Sequence, residues 1–492
     1  MKKNSIFTNS LLYSFGNLLL KACGFFLIPL YTAYLTTTDY GIINLCASFC
    51  SISSSLMMFG LQYAVIRYYA DLKEDTNKVA NLLGTVIWFI VGLGSLFIVI
   101  CITFQNIITY YLFDELAFFP IVFLAIINSV TTTLYVIYQD ILKGMQNAHR
   151  SVFLSYVYFF LFLGSNILTV VYLKLGAIGF LFSTFLVTTI MIVVMFVELI
   201  QKRILAFRID FILLKELMTY SLPLIPHTIA FNLSSYATKL IISSNLSLSV
   251  LGIFSLAAQF GNVSDIILNS VQSAFQPWFY NILNNDESGS YEKKDIARVT
   301  YMLMWCYGLM YILIGVFAQE AIIIMASNKS YIEAWVYVPL IVFSIAVKSP
   351  LYFYQNFLYY DKTKTKLIFY CTIIGCTINV IIAWFLVPVL GINGTILADL
   401  ASFCVRLMLT IYFTFVIASE VYSILKLEVL SLLPMFFMGI ALIPSYTIYK
   451  NELSLYNVFI KFTVVVCYIV LAILFNKNAI INKYKQLKNR YF

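Results

Sequence analysis

Charge is what this chain has least of. Asp, Glu, Lys and Arg make up 11% of its 492 residues, against the ~25% of an ordinary soluble domain. That scarcity excludes a soluble enzyme, and hydrophobic residues, at 62%, fill the deficit. Histidine is nearly missing: His149 and His227 stand too far apart for a local metal motif. The nine cysteines are odd in number, lie in apolar stretches and form no CxxC, so neither a disulfide frame nor a zinc site is expected, and no cofactor. No GxxxxGK[ST] stretch occurs, which excludes P-loop ATP hydrolysis by the chain itself. Alternating strands of ~10 residues are absent, so a membrane β-barrel does not fit. Met1-Lys2-Lys3 leads into a span without a small-residue cleavage site, and no cleavable signal is expected.

What the chain has instead is apolar runs of ~20 residues, the length of a membrane-crossing helix. Fourteen are predicted, at about 11–35, 41–66, 81–104, 117–140, 152–173, 177–199, 218–243, 250–281, 299–319, 334–358, 367–387, 393–418, 429–449 and 454–475. The predicted fold class is an all-α polytopic membrane protein. The second, eighth and tenth spans exceed what a bilayer needs, which implies tilt or extension into water. Outer loops hold only Lys174, Lys329 and Lys450, and the spans hold Lys21, Lys239, Lys348, Arg406 and Lys461. All the others among the 31 Lys and Arg residues fall on the side of the N-terminus. By the positive-inside rule both termini are expected in the cytoplasm of a cell's inner membrane. The net charge of +9 then serves orientation and lipid headgroups, and no nucleic-acid partner is expected. The largest loops, 200–217 and 282–298, are too short to fold alone, so any chemistry lies within the membrane.

Ten residues recur. Tyr40-Gly41-Ile42-Ile43-Asn44-Leu45-Cys46-Ala47-Ser48-Phe49 overlies Leu251-Gly252-Ile253-Phe254-Ser255-Leu256-Ala257-Ala258-Gln259-Phe260, 211 positions on, with Gly, Ile, Leu, Ala and Phe identical. The polar register around both copies agrees. Tyr13, Asn17, Lys21 and Gly24 share a face of the first span, and Thr228, Asn232, Ser235, Lys239 and Ser243 a face of the seventh. The second span carries Asn44, Ser48, Ser51, Ser55 and Gln62. The eighth carries Ser255, Gln259, Asn262, Asp265, Asn269, Gln272 and Gln276. A weaker echo, Gly176 and Gly179 against Gly391 and Gly394, lies 215 apart. The predicted organisation is two parallel six-helix lobes, 1–205 and 206–420, followed by two extra spans and a basic tail at 421–492.

Wet stripes on spans 1, 2, 7 and 8 predict a water-filled cavity between the lobes, because lipid will not solvate them. Small polar residues also glue helices together, and that reading stays open for each Ser or Asn. A charge at the bilayer centre costs ~2.5–3.5 kcal/mol or more, so Lys21, Lys239 and Asp265 are read as functional. Two lysines at different depths suit an anionic headgroup moving along a path. Asp399 and Arg406, seven residues apart on the twelfth span, are either a structural ion pair or a coupling-ion site. Lys348 is either a cavity cation or a snorkelling one. Lys461 either snorkels outward or meets one bundle partner.

At these residues the sequence resembles the polysaccharide flippases, of the Wzx or O-antigen transporter type, within the multidrug/oligosaccharidyl-lipid/polysaccharide exporter superfamily. Asp39-Tyr40-Gly41 resembles that family's first-loop pattern, with Thr36-Thr37-Thr38 replacing its usual Gly-Pro-Glu-like turn. Gly60-Leu61-Gln62-Tyr63-Ala64-Val65-Ile66-Arg67-Tyr68-Tyr69 resembles the end of its second span, and Gly176-Ala177-Ile178-Gly179 with Gly391-Ile392-Asn393-Gly394 its sixth and twelfth span starts. The resemblance covers essentially the whole chain. It implies a V-shaped pair of lobes, with spans 1, 2, 7 and 8 facing the cavity. The implied cargo is a polyprenyl-diphosphate-linked oligosaccharide, turned between leaflets by alternating access for O-antigen, capsule or a related surface polysaccharide.

On that reading Lys21, Lys239, Arg67 and Lys348 meet the diphosphate, and Asn17, Asn232, Gln259 and Asn262 meet the sugars. Asp265, Asp399 and Arg406 are candidates for coupling to a proton or sodium. Polysaccharide polymerase or assembly proteins are the expected partners beside membrane lipids. A cation-coupled multidrug antiporter and a peptidoglycan-precursor flippase of the same superfamily compete. An oligosaccharide polymerase competes less well, because the outer loops contain neither Arg nor His.

Overall fold

Thr36 and Asp39 start the first long helix by serving each other. The Thr36 hydroxyl accepts from the Asp39 amide and the Asp39 carboxylate accepts from the Thr36 amide, both at 3.1 Å. This capping box satisfies donors that a helix N-terminus leaves orphaned. The second carboxylate oxygen of Asp39 accepts from the Ala177 amide at 3.0 Å, at the start of another helix. Gly176 precedes it with φ +56°, and a Cβ there would stand 2.8 Å from that oxygen. Asp39→Ala is therefore expected to uncap two helices at once, at about 0.5–2 kcal/mol for each cap. A thermal unfolding midpoint equal to that of the unaltered protein would rule this out.

The computed structural model describes residues 25, 27–285, 291–361 and 363–491. The chain divides into two compact units, Met1–Gly252 and Ile253–Phe492. The first contains α1 (Ile28–Tyr34), α2 (Thr37–Met58), α3 (Leu61–Leu72), α4 (Thr76–Thr103), α5 (Gln105–Leu112), α6 (Phe123–Gly144), α7 (Ala148–Asn166), α8 (Gly176–Gln201), α9 (Phe211–Ser221), α10 (Ile225–Asn245) and the first residues of α11 (Leu248–Asn285). The second contains the rest of α11, then α12 (Tyr291–Val316), α13 (Ala318–Met325), α14 (Val338–Tyr360), α15 (Thr365–Leu390), α16 (Ile392–Val421), α17 (Ile424–Thr447) and α18 (Leu455–Tyr491). There is no strand among the described residues.

Twelve of the described helices are long and apolar enough to cross a membrane, and the chain is a multi-pass membrane protein. Residues 11–24 of the predicted first span lie outside the described residues; α1 is the described part of its far end. The predicted seventh span, 218–243, begins in α9, passes a 3-10 turn at Leu222–Leu224 and continues as α10, whose polar stripe leaves it outside the twelve. The predicted eighth span is one helix of 38 residues, α11. The predicted second span, 41–66, is not one helix. It breaks between α2 and α3, where Phe59 and Gly60 take positive φ of 44° and 70°. A Cβ on Gly60 would sit 2.9 Å from the Ile225 side chain and 3.0 Å from the Ser221 carbonyl. Only glycine lets the end of α9 and the start of α10 approach so closely.

The two repeated glycines meet in the first unit. A Cβ on Gly41 would overlap the Leu248 carbonyl, and one on Gly252 the Thr37 carbonyl. The same imagined atoms lie 3.2 Å from the Gly252 amide nitrogen and 3.1 Å from that of Gly41. Thr37 and Ser249 close the crossing with a hydroxyl–hydroxyl bond of 2.7 Å. Small residues that let backbones touch supply the packing that the hydrophobic effect cannot supply between helices in lipid. Elsewhere in this unit Leu83, Val86 and Ile87 of α4 pack with Ile137 and Ile141 of α6 and Met195 of α8. The connection after α8 is tied to α4: the Ala206 amide donates to the Ala80 carbonyl at 3.0 Å, and Trp88 Nε1 to the Ala206 carbonyl at 3.1 Å.

Candidate functional site

In the first unit α10 lies along α2, and their polar stripes face each other. Asn232 Nδ2 donates to Ser55 Oγ at 2.7 Å. Seven residues further, Lys239 Nζ donates to Ser48 Oγ at 2.6 Å, with the Asn44 carbonyl at 3.5 Å. Ser48 in turn donates to that carbonyl at 2.9 Å. An ammonium has three donors to satisfy, and Lys239 has one close neutral acceptor. No carboxylate among the described residues lies in ion-pair range of it. A half-buried cation so placed favours a visiting anion.

Beside this seam lies a cavity of about 480 Å³. From α2 it takes Ser51, Ser54 and Ser55, from α6 Asn128 and Thr132, from α8 Thr184 and from α10 Asn232. Tyr158 and Phe162 of α7 and Phe180 of α8 supply ring surface. The i, i+4 interval of Tyr158 and Phe162 puts them on one helix face; their rings lie 9° from parallel with centroids 6.0 Å apart. Tyr135 stacks on Tyr158 at 4.8 Å. Of the lining residues, Ser51, Ser55 and Asn232 stood out in the sequence as members of polar stripes. The aromatic residues did not, because in so apolar a chain they read as lipid-facing.

The second unit holds the nominated charges Asp265, Lys348, Asp399 and Arg406. Lys348 on α14 holds both carboxylate oxygens of Asp265 on α11, at 3.0 and 3.1 Å. Its Nζ also lies 5.6 Å from the Tyr352 ring centroid and 5.3 Å from that of Phe403, within cation–π range. Lys348 is thus neutralised by an acid 83 residues away, a pairing that spacing along one helix cannot reveal. Asp399 on α16 accepts from Asn379 Nδ2 on α15 at 2.8 Å. Among the described residues Asp399 and Arg406 form no ion pair. Arg406 is buried, and its Nε has no partner among the described residues. Its stem fills the place a Cβ on Gly375 would take.

Arg67 stands on α3 and pairs with Asp71 at 2.7 Å, both more than half exposed, so the bond is worth at most ~1 kcal/mol. Gln259 is half-buried and Asn262 exposed on α11, in the second unit. Asn17 and Lys21 lie outside the described residues. Lys461 on α18 meets bundle partners: it is fully buried, with the Glu320 carboxylate oxygens at 2.7 and 2.8 Å and Gln319 Oε1 at 3.1 Å. Among the described residues no group of three His, Cys, Asp or Glu could hold a metal ion.

A family model described as polysaccharide biosynthesis protein matches residues 33–329. The chain is 22% identical over 402 residues to "Lsg locus putative protein 1" of Haemophilus influenzae, covering 76% of this chain and 90% of that protein. Its fold is similar to that of the lipid II flippase MurJ in an inward closed conformation, with TM-score 0.67 and 14% identity over 96% of this chain and all of that one. It is also similar to an inward-facing multidrug resistance MATE family transporter of the MOP superfamily. There the TM-score is 0.58 and the identity 13%, over 82% of this chain and 98% of that one.

Proposed function

Because the chain belongs to the polysaccharide biosynthesis protein family, we propose that it turns a polyprenyl-diphosphate-linked oligosaccharide from the cytoplasmic to the outer leaflet of the inner membrane. The observation that carries this reading is Lys239, a cation with Ser48 as its close neutral acceptor, beside a hydroxyl-lined cavity. A diphosphate supplies the missing counter-charge, and the hydroxyls and amides suit the glycan. The lipid tail stays in the bilayer. The movement we propose is alternating access of two lobes, 1–205 and 206–420, with 421–492 as accessory spans and both termini cytoplasmic. Asp399, which accepts from Asn379 and forms no ion pair among the described residues, is our candidate for the coupling proton or sodium.

A cationic drug is less well served by these residues. Asp265, the acid on the eighth-span stripe, is already occupied by Lys348, and no acid is among the described residues lining the cavity. A peptidoglycan precursor shares the anionic lipid, and rescue of cells depleted of their own precursor flippase separates that cargo. We read the chain as a transporter of material for surface polysaccharide, working beside polymerase and assembly proteins.

The test is translocation of a fluorescent lipid-linked oligosaccharide by the purified full chain in vesicles. Lys239→Met is expected to slow it at least tenfold, and Lys239→Arg to retain most of it. Translocation by Lys239→Met at the unaltered rate would sink the reading.

A further inference from the structure

We infer that the cavity bordered by α2, α6, α7 and α8 of the first unit is a subsite for one uncharged sugar ring of the cargo. This rests on the flipping reading above and names what the cavity itself holds. Its size, about 480 Å³, is within the ~300–1,000 Å³ of small-molecule sites. No charged side chain is among its described lining residues, so it offers nothing to a diphosphate or to an ammonium.

What it offers is acceptors. The Ser55 and Thr184 hydroxyls donate to carbonyls one turn back, at 2.9 and 3.1 Å, and Ser54 to the Ser129 carbonyl at 3.2 Å. Their protons are spent, while Ser54 and Thr184 keep their lone pairs and Ser55 keeps one beside the bond it accepts from Asn232. Asn128 makes the case sharper. It is 1% exposed and its Nδ2 donates to the Leu181 carbonyl at 2.9 Å. Asn128 is one of the lining residues, and its buried Oδ1 has no partner among the described residues. A buried acceptor left empty is costly, and a donor that enters relieves it. Sugar hydroxyls are such donors. The C–H faces of a pyranose in turn need apolar ring surface, and Tyr158, Phe162 and Phe180 are among the residues that line the cavity.

The position agrees with the chemistry. Asn232 lines the cavity and Lys239 lies two turns further along α10, ~10 Å at 1.5 Å per residue. A diphosphate held by Lys239 sets the first sugars of the cargo at the depth of the cavity.

Two measurements on the purified full chain test this. The first is saturation-transfer NMR with methyl glycosides of glucose, galactose and N-acetylglucosamine. At least one is expected to show transfer to its ring C–H protons, lost in both Thr132→Val and Tyr158→Leu. No transfer to any of the three, or transfer undiminished in both variants, overturns the subsite and leaves the flipping reading standing. The second compares vesicle translocation of the glycosylated lipid with that of bare polyprenyl diphosphate. The ratio of the two rates is expected to fall at least fivefold in Tyr158→Leu and in Thr132→Val, whereas Lys239→Met slows both substrates together. An unchanged ratio in both cavity variants again overturns the subsite. If the unaltered protein moves neither lipid, it is the flipping reading that fails, and the NMR result still decides whether the cavity takes a sugar.

Discussion

Lys461→Met, made alone, is expected to cost about 3–5 kcal/mol of stability, because it leaves the largely buried Glu320 carboxylate without its counter-charge. The pair is an interior one: the Lys461 side chain is 0% exposed and that of Glu320 10%. A short polar network completes it. Asn457 Nδ2 donates to Gln319 Oε1 at 3.2 Å, and Gln319 Nε2 to the Tyr449 carbonyl at 2.6 Å. Glu320→Gln alone is expected to be similarly harmful, since it strands the ammonium. Lys461→Met combined with Glu320→Leu removes both charges and is expected to recover most of the loss, because a buried ion pair is worth little against an apolar replacement of like size. Unfolding midpoints in detergent across this cycle provide the check. A double variant as unstable as the sum of the singles would show that the two residues act apart.

Gly41→Ala and Gly252→Ala carry the second large effect. Each new methyl runs into a backbone carbonyl, that of Leu248 or of Thr37. A backbone atom cannot rotate aside as a side chain can, so the helices must separate. Overpacking of this kind costs about 1–3 kcal/mol, and separation also lengthens the Thr37–Ser249 bond. Gly41→Val is expected to yield no monodisperse protein on gel filtration. Thr37→Val removes the hydroxyl bond while leaving both glycines, and about 1 kcal/mol is expected there. Unfolding midpoints for the two alanine variants indistinguishable from the unaltered protein would mean the crossing is looser than described.

Much of the helical architecture was legible because lipid imposes it. Uninterrupted apolar runs announce spans, and the helical period of Asn232, Ser235 and Lys239 announced α10 even though its composition is too polar to stand out. What could not be read were the partners. The repeat revealed Gly41 and Gly252 as equivalent, and nothing in a repeat says that equivalent residues touch. Lys461 required company by its cost in the membrane, yet Glu320 sits 141 residues earlier, one residue past the predicted end of the ninth span. The break at Gly60 was hidden for the opposite reason, since hydrophobicity continues through it and only the approach of Ser221 and Ile225 demands the bend. At the candidate site the polar residues of α2 and α10 were visible as stripes. The rings of Tyr158 and Phe162 were lost among the 43 Phe and 36 Tyr of the chain.

Asp39 has a consequence for how cargo can change. Its two oxygens are divided between the first turns of α2 and α8, so the most recognisable residue of the sequence is spent on architecture. A descendant of this chain could keep Asp39, Gly41 and Gly176 untouched while exchanging Thr132, Tyr158 and Thr184 freely. It would assemble the same helices and be read as the same kind of protein from its motifs. On the function proposed above, its glycan would be different.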